Sequence, residues 1–198
     1  MKAALSASLF VLLLAAAAPA GQATRFSFEE EQVLLTYQAA LGRQQISGVS
    51  RTLSGGVEEL AGGLLKVSAR VPVQSFASGS SGVDALFARV LQADRFPQIE
   101  FEGQAKAGGK RSGQFSAQLE GTLSIHGVTQ RVQTQLRVLR DRKTLYVTTS
   151  FAVDLAAFGL QAPSIGGVAV SPRVQIELHA LLRPGEPAAL AGAGAPRG

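Results

Sequence analysis

The sequence predicts an all-β fold, an antiparallel barrel of about eight strands accompanied by one helix. Apolar and polar residues alternate along most of residues 26–182, as they do in strands that bury only one face. The connections between these runs are short, which makes successive strands antiparallel neighbours. Closure into a barrel buries the apolar face and removes the exposed sheet edges. A β-sandwich remains the structural alternative at this point.

The early runs of alternation occur in the first half of the chain. The apolar positions of the two longest are Val33, Leu35, Tyr37, Ala39 and Leu41, followed by Leu65, Val67, Ala69, Val71 and Val73. Shorter pieces lie at residues 46–53 and 99–103. These segments predict about half of the strands.

One segment has helical rather than strand periodicity. Leu86, Phe87, Val90 and Leu91 form an apolar stripe over about three turns. Asp84 is the expected N-cap of this helix. The sequence therefore predicts a single helix that packs across the barrel or covers one of its ends.

A clear hairpin follows. Its first strand carries Phe115, Ala117, Leu119, Leu123 and Ile125 on one face, and its second carries Val132, Thr134, Leu136 and Val138. The turn at Gly127–Thr129 shifts the phase of the apolar and polar alternation. Gly127 is expected to permit the turn, and Thr129 is expected to bond turn amides. Two further strands carry Leu145, Val147, Phe151 and Val153, then Val174, Ile176, Leu178 and Leu182.

The two ends of the chain predict an exported protein with one domain. Residues 1–23 have the form of a secretory signal peptide, with Lys2 followed by a run without charge at residues 3–18. A retained anchor helix is the competing interpretation; after cleavage no transmembrane anchor would remain. Residues 24–183 are expected to form the barrel domain. Residues 184–198 are rich in Ala, Gly and Pro and are predicted to be disordered.

Composition excludes several classes of function. The chain has no cysteine, so it has no disulfides. Its net charge of +5 is scattered rather than clustered, which argues against nucleic-acid binding and allows weak attraction to anionic lipid surfaces. The two histidines, His126 and His179, fall on the polar face of their strands and are expected to face solvent. We therefore predict no metal site, no cofactor, no catalytic residues and no enzymatic activity.

The apolar inward face is what remains to carry a function. It is either a packed core or the wall of a cavity that holds a lipid chain. The residues predicted to line such a lipid-binding cavity are Phe87, Phe96, Phe101, Leu123, Ile125, Leu136, Phe151 and Phe158.

Two motifs resemble the YceI-like family. Residues 121–132, GTLSIHGVTQRV, are similar to its hairpin, and residues 96–101, FPQIEF, are similar to the start of one of its strands. The resemblance covers about residues 26–182. It implies a lipocalin-like barrel, polyisoprenoid binding and a periplasmic or secreted location. The chain departs from the family at Leu86 and Phe87, where many relatives carry His or Met, and at Pro172-Arg173, where many carry an acidic residue; these differences concern the ligand more than the fold.

We therefore predict a non-enzymatic periplasmic protein that holds or carries a long-chain isoprenoid or similar amphiphilic lipid. The tail would lie in the barrel, and an arginine such as Arg95 or Arg173 would meet a head group at one mouth. The alternative is a ligand-free interaction or stress-response module with a solid core. The sequence leaves the oligomeric state open.

Overall fold

A computed structural model describes residues 23–107 and 113–185. The predicted signal peptide lies outside the described residues, apart from Ala23. The predicted tail also lies outside them, apart from Pro184 and Gly185. The strands are β1 Thr24–Leu41, β2 Gln44–Ser50, β3 Ser54–Glu59, β4 Leu64–Pro72, β5 Gln98–Ala107, β6 Gly113–Ile125, β7 Val128–Asp141, β8 Thr144–Asp154, β9 Ser164–Ile165 and β10 Val168–Pro184. The helix α1 spans Ser81–Val90, and short 3₁₀ turns span Ala61–Gly63, Val73–Ser75 and Leu155–Phe158.

The strands form one antiparallel sheet that closes on itself. Their order is β2-β1-β3-β4-β5-β6-β7-β8-β10-β9, and β1 also pairs with β10. The first residues of β1 pair with β3, and residues 35–41 pair with β2. A register shift between Phe28 and Val33 separates these two parts of β1. The structure is thus the predicted eight-stranded barrel, with β2 and β9 as additions, and not a sandwich.

One end of the barrel, here called the packed end, is filled by side chains. The buried residues that meet there are Phe26, Leu65, Ala105, Ala107, Phe115, Ala117, Val138 and Leu145. Arg140 closes this end: it donates to Glu59 at 2.7 Å, and its guanidinium carbon lies 5.5 Å from the centre of the Phe26 ring. The chain enters and leaves the barrel at the packed end, since Phe26 pairs with Pro184.

The opposite end, here called the helix end, is covered by α1. Phe87 of α1 stacks on Tyr37 of β1, with ring centres 4.7 Å apart. None of the ten residues of α1 is fully buried. The single predicted helix is confirmed, and it covers one end of the barrel.

The start of α1 differs from the prediction. The helix begins at Ser81, with Ser80 at the N-cap position, and Asp84 already lies in its first turn. The predicted N-cap at Asp84 is therefore wrong. Its carboxylate instead accepts a hydrogen bond of 2.8 Å from the backbone amide of Ser78, which fixes the loop that leads into the helix.

The β6–β7 hairpin turns through His126 and Gly127. Both have positive φ, +54° and +75°, as in the two-residue turns that match strand twist. A Cβ on Gly127 would lie 2.6 Å from a ring carbon of Phe96. Glycine is therefore required here for two reasons, the positive φ and the close approach of the Phe96 ring. The predicted bonding of Thr129 to turn amides is wrong, because its hydroxyl lies 2.7 Å from that of Ser124 across the hairpin.

Candidate functional site

The barrel encloses an apolar cavity of about 130 Å³, here called the barrel cavity. It is lined by inward-facing side chains of eight strands and the loops that join them. They include Phe28, Leu35, Leu53, Val57, Val67, Ala69, Phe76, Ile99, Phe101, Leu119, Leu123, Ile125, Leu136, Val147, Phe151, Ile176, Leu178 and Leu182. Of the described residues that line this cavity, only Thr134 and Thr149 carry hydroxyl groups.

A second apolar cavity of about 90 Å³, here called the helix-end cavity, lies beneath α1. Val83, Leu86, Phe87 and Val90 supply its cover, and Ile165 of β9 lines it as well. Phe76, Ile99, Ile125 and Ile176 line both cavities. The two spaces therefore adjoin, with at most one layer of side chains between them.

The two threonines use their hydrogen-bonding capacity within the wall. Thr134 donates to the carbonyl of Ser150 at 3.0 Å, and Thr149 donates to the carbonyl of Gln135 at 3.1 Å. Their hydroxyl oxygens lie 3.0 Å apart. Because each hydroxyl has one proton, neither has a donor left for a ligand. The wall therefore offers hydrocarbon contact and no hydrogen-bond donor from these groups.

A pair of glycines makes room for a large aromatic side chain. Gly103 and Gly121 pair across β5 and β6. A Cβ on either would lie 2.7 or 2.6 Å from the tip of the Phe101 ring. The inward-facing ring thus lies flat against backbone that has no side chains, and more of the cavity stays open than if the ring pointed toward the barrel axis.

Three aromatic rings form a cluster at the helix end. Tyr37 stacks on Phe87, and Phe76 meets both edge-on, with ring centres 5.6 and 5.5 Å away. Burial raises the pKa of Tyr37 above its usual value of 10.0, and the negative charge of Asp84 raises it further. The tyrosine therefore stays neutral well into alkaline solution.

The structure places six of the eight predicted cavity residues in a cavity wall. Phe101, Leu123, Ile125, Leu136 and Phe151 line the barrel cavity, and Phe87 and Ile125 line the helix-end cavity. Their role in binding lipid stays a prediction. Phe96 and Phe158, also predicted there, line neither cavity.

The positions of these two phenylalanines have physical reasons. Phe158 ends the 3₁₀ turn after β8 and is only 2% exposed, so it packs as core. Phe96 lies outside the barrel, with its ring 4.8 Å from that of His126 and the guanidinium of Arg95 at 5.1 Å. It covers the hairpin turn at Gly127.

Sequence reasoning missed part of the wall. The parity of their strands could have added Leu35, Val67, Val147, Ile176 and Leu178. Phe76 carries no such signal, because it follows the 3₁₀ turn Val73–Ser75, where strand periodicity has stopped. The lining from β9 could not be found either, since β9 has only two residues.

The histidines lie apart and outside both cavities. His179 is exposed and pairs with Glu177 at 2.9 Å, as its strand parity predicts. His126 lies in the turn rather than in a strand and is half-buried beside Phe96, with its Nε2 enclosed and without a hydrogen-bond partner among the described residues. In residues 23–107 and 113–185, no group of three or more His, Asp or Glu is arranged to hold a metal. No helix in this described part is long and apolar enough to cross a membrane.

Comparisons with known proteins agree with this architecture. Residues 22–182 match the family model of the YceI-like domain. Among solved structures, the fold is similar to a polyisoprenoid binding domain from Saccharophagus degradans implicated in plant cell wall breakdown. The TM-score is 0.66 at 14% sequence identity, and the alignment covers 82% of this chain and 99% of that one. It is also similar to BcnA from Burkholderia cenocepacia, with a TM-score of 0.66, 17% identity, and coverage of 78% and 98%.

A third similar structure is the YceI protein of Campylobacter jejuni, with a TM-score of 0.60, 14% identity, and coverage of 74% of this chain and 90% of that one. The comparison with curated protein sequences gives no significant match. At these identities the solved structures support the fold.

Proposed function

The chain belongs to the YceI-like family, and from this premise we propose that it is a non-enzymatic periplasmic protein that holds or carries a long-chain isoprenoid or similar amphiphilic lipid. The hydrocarbon tail occupies the barrel cavity and extends into the helix-end cavity. The description of one similar structure as a polyisoprenoid binding domain supports this class of ligand. The predicted signal peptide is the support for a periplasmic location.

The observation that carries the proposal is the pair of adjoining cavities with an apolar wall. Two adjoining apolar spaces suit a flexible chain better than a compact polar ligand. Burial of hydrocarbon contributes about 25 cal/mol per Å². Because the threonine protons in the barrel cavity are bound by backbone carbonyls, its wall gives a hydrogen-bond acceptor no replacement for the bonds that it loses on leaving water.

The same wall supports a role in binding rather than catalysis. Among the described residues that line the two cavities, Tyr37 is the only titratable one. General acid–base chemistry needs a group that changes protonation near the working pH. The raised pKa of Tyr37 makes it a poor proton donor or acceptor at neutral pH. The cavities also count against the solid-core interaction module that the sequence left open.

The direct test is native mass spectrometry, with lipid extraction, on protein purified from its own host. We expect a bound amphiphile of long hydrocarbon chain that accompanies the folded protein. Protein that is repeatedly empty, and that takes up no prenyl lipid in solution, would contradict the proposal.

A variant pair shows whether the barrel cavity is the binding site. Ala69→Phe places a ring in the wall of the barrel cavity and should reduce lipid occupancy at least tenfold. Ala152→Phe makes the same change at an exposed position of β8 and should leave occupancy unchanged. Circular dichroism checks that both variants are folded. Full occupancy in folded Ala69→Phe would place the ligand elsewhere.

A further inference from the structure

An open groove runs along the outside of the helix end, between α1 and β9. It is lined by Ser80, Val83, Leu86 and Arg89 on one side and by Ser164 and Ile165 on the other. Of the described residues that line it, Arg89 alone carries a charge, and that side chain is exposed. Arg89 forms no ion pair with another residue of the described part. The groove is thus polar and positive at its outer edge.

The floor of this groove is also the wall of the helix-end cavity. Val83, Leu86 and Ile165 line both spaces. One layer of three aliphatic side chains therefore separates the apolar interior from a solvent-filled groove. At the packed end, by contrast, buried side chains and the Arg140–Glu59 ion pair lie between the barrel cavity and solvent.

The helix that covers this end is also only partly buried. None of the residues of α1 is fully buried. An element with few buried contacts opens at lower free-energy cost than the rest of the fold. Small displacements of α1 relative to β9 would join the groove to the helix-end cavity.

We propose that this groove is the mouth of the barrel, and that Arg89 binds the anionic head group, phosphate in class, of an amphiphile whose tail lies inside. This inference rests on the proposed function and adds the position and charge of the head. The hydroxyls of Ser80 and Ser164 are the remaining polar groups of the rim, and neither is bonded to another described residue. They donate hydrogen bonds to the same head group.

Arg89 fits this role better than the two arginines that the sequence suggested. The guanidinium of Arg95 lies on the Phe96 ring, outside the barrel and away from both cavities. Arg173 pairs in register with Asp154 on β10 and β8, and neither residue lines the groove or the cavities. Arg89 lies one helical turn from Leu86, which is part of the shared wall.

The test compares two probes of one chain length, geranylgeranyl monophosphate and geranylgeraniol, by isothermal titration. Wild-type protein should bind the phosphate about tenfold more tightly, which corresponds to ~1.4 kcal/mol. Arg89→Gln should lose this preference and keep its affinity for the alcohol. Arg95→Gln is the matched control and should keep the preference.

The outcomes separate the two proposals. If neither probe binds the wild-type protein, the proposed function fails. If both bind equally, or if the preference survives in Arg89→Gln, the function stands and the head-group site is wrong. Loss of the preference in Arg95→Gln alone would move the head group to that arginine and overturn this assignment.

A labelling experiment locates the mouth independently. Because the sequence has no cysteine, Ser164→Cys introduces a single thiol at the rim. Geranylgeranyl monophosphate should slow its alkylation by at least fivefold, whereas inorganic phosphate at the same concentration should not. Equal protection by inorganic phosphate would show a site for free anions and contradict the proposal, as would no protection by the bound lipid.

Discussion

The packed end and the helix end of the barrel are formed by the same strands but are filled in different ways. At the packed end Leu65, Phe115 and Leu145 interlock with the alanines between them, and the Arg140–Glu59 pair covers the outside. At the helix end an apolar cavity remains between the side chains, and α1 covers it with side chains that are each partly exposed.

This difference separates stability from binding. Dense packing yields the dispersion and hydrophobic contributions that hold a domain without disulfides together. An unfilled space forgoes those contributions but can receive a ligand. Under the proposed function, stability and binding depend on opposite ends of one barrel, so substitutions at each end should have different consequences.

The largest contrast should come from matched leucine truncations. Leu145 is 2% exposed at the packed end, and Leu145→Ala should lower the free energy of unfolding by about 3 kcal/mol. Leu86 of α1 is half-buried beside a cavity, and Leu86→Ala should lower it by about 1 kcal/mol or less. Urea denaturation measures both. Equal losses would break the comparison between the ends.

A smaller contrast should come from two ion pairs. Glu59 and Arg140 have side chains only 14% and 22% exposed, so Glu59→Gln should cost about 1–2 kcal/mol of stability. Glu29 pairs with Arg183 in a far more exposed setting, and Glu29→Gln should change stability by no more than about 0.5 kcal/mol. Thermal unfolding at low and moderate salt measures both changes. If Glu29→Gln lowered stability more than Glu59→Gln, the proposed stabilising role of Arg140 at the packed end would be wrong.

The smallest effect should appear at the helix end in alkaline solution. The pKa of Tyr37 is higher in the folded protein than in the unfolded chain. The unfolded state therefore loses its proton first, and the stability that Tyr37 contributes is complete below pH ~10 and is lost as pH rises through the folded-state pKa. Tyr37→Phe should remove this part of the loss of stability at high pH. The free energy of unfolding, measured by urea denaturation at several pH values, tests this. The control is Tyr146→Phe, at the exposed second tyrosine. This variant should lose stability with rising pH in the same way as the wild-type protein.

Strand parity predicted the barrel wall well because it has a direct physical cause. Once Leu123 and Ile125 face inwards, the pleat fixes the direction of every neighbour in β6, and pairing carries the same order into β7. Closure of β1 on β10 was also expected, because it removes both sheet edges. These features depend on residues close together in sequence or on a general property of sheets.

The start of the helix, the place of Phe96 and the groove depend on contacts that the periodicity of the sequence does not reveal. Ser80 and Asp84 are both good helix-capping residues, and only the loop geometry at Ser78 decides between them. Phe96 and Phe101 are equally apolar, yet one covers a turn outside the barrel and the other lies in its wall. The groove joins α1 to β9, which are about 75 residues apart, so no local pattern could reveal it.

The meeting of β1 and β10 has a practical consequence for anyone who handles this protein. The amide of Gly185 donates to the carbonyl of Arg25 at 3.2 Å, so the first and last described strands end side by side at the packed end. A surface tether or a fused reporter attached through either strand terminus would start on the side opposite the groove. In a protein immobilised in this way on a sensor chip, the groove proposed as the mouth would face the flowing sample.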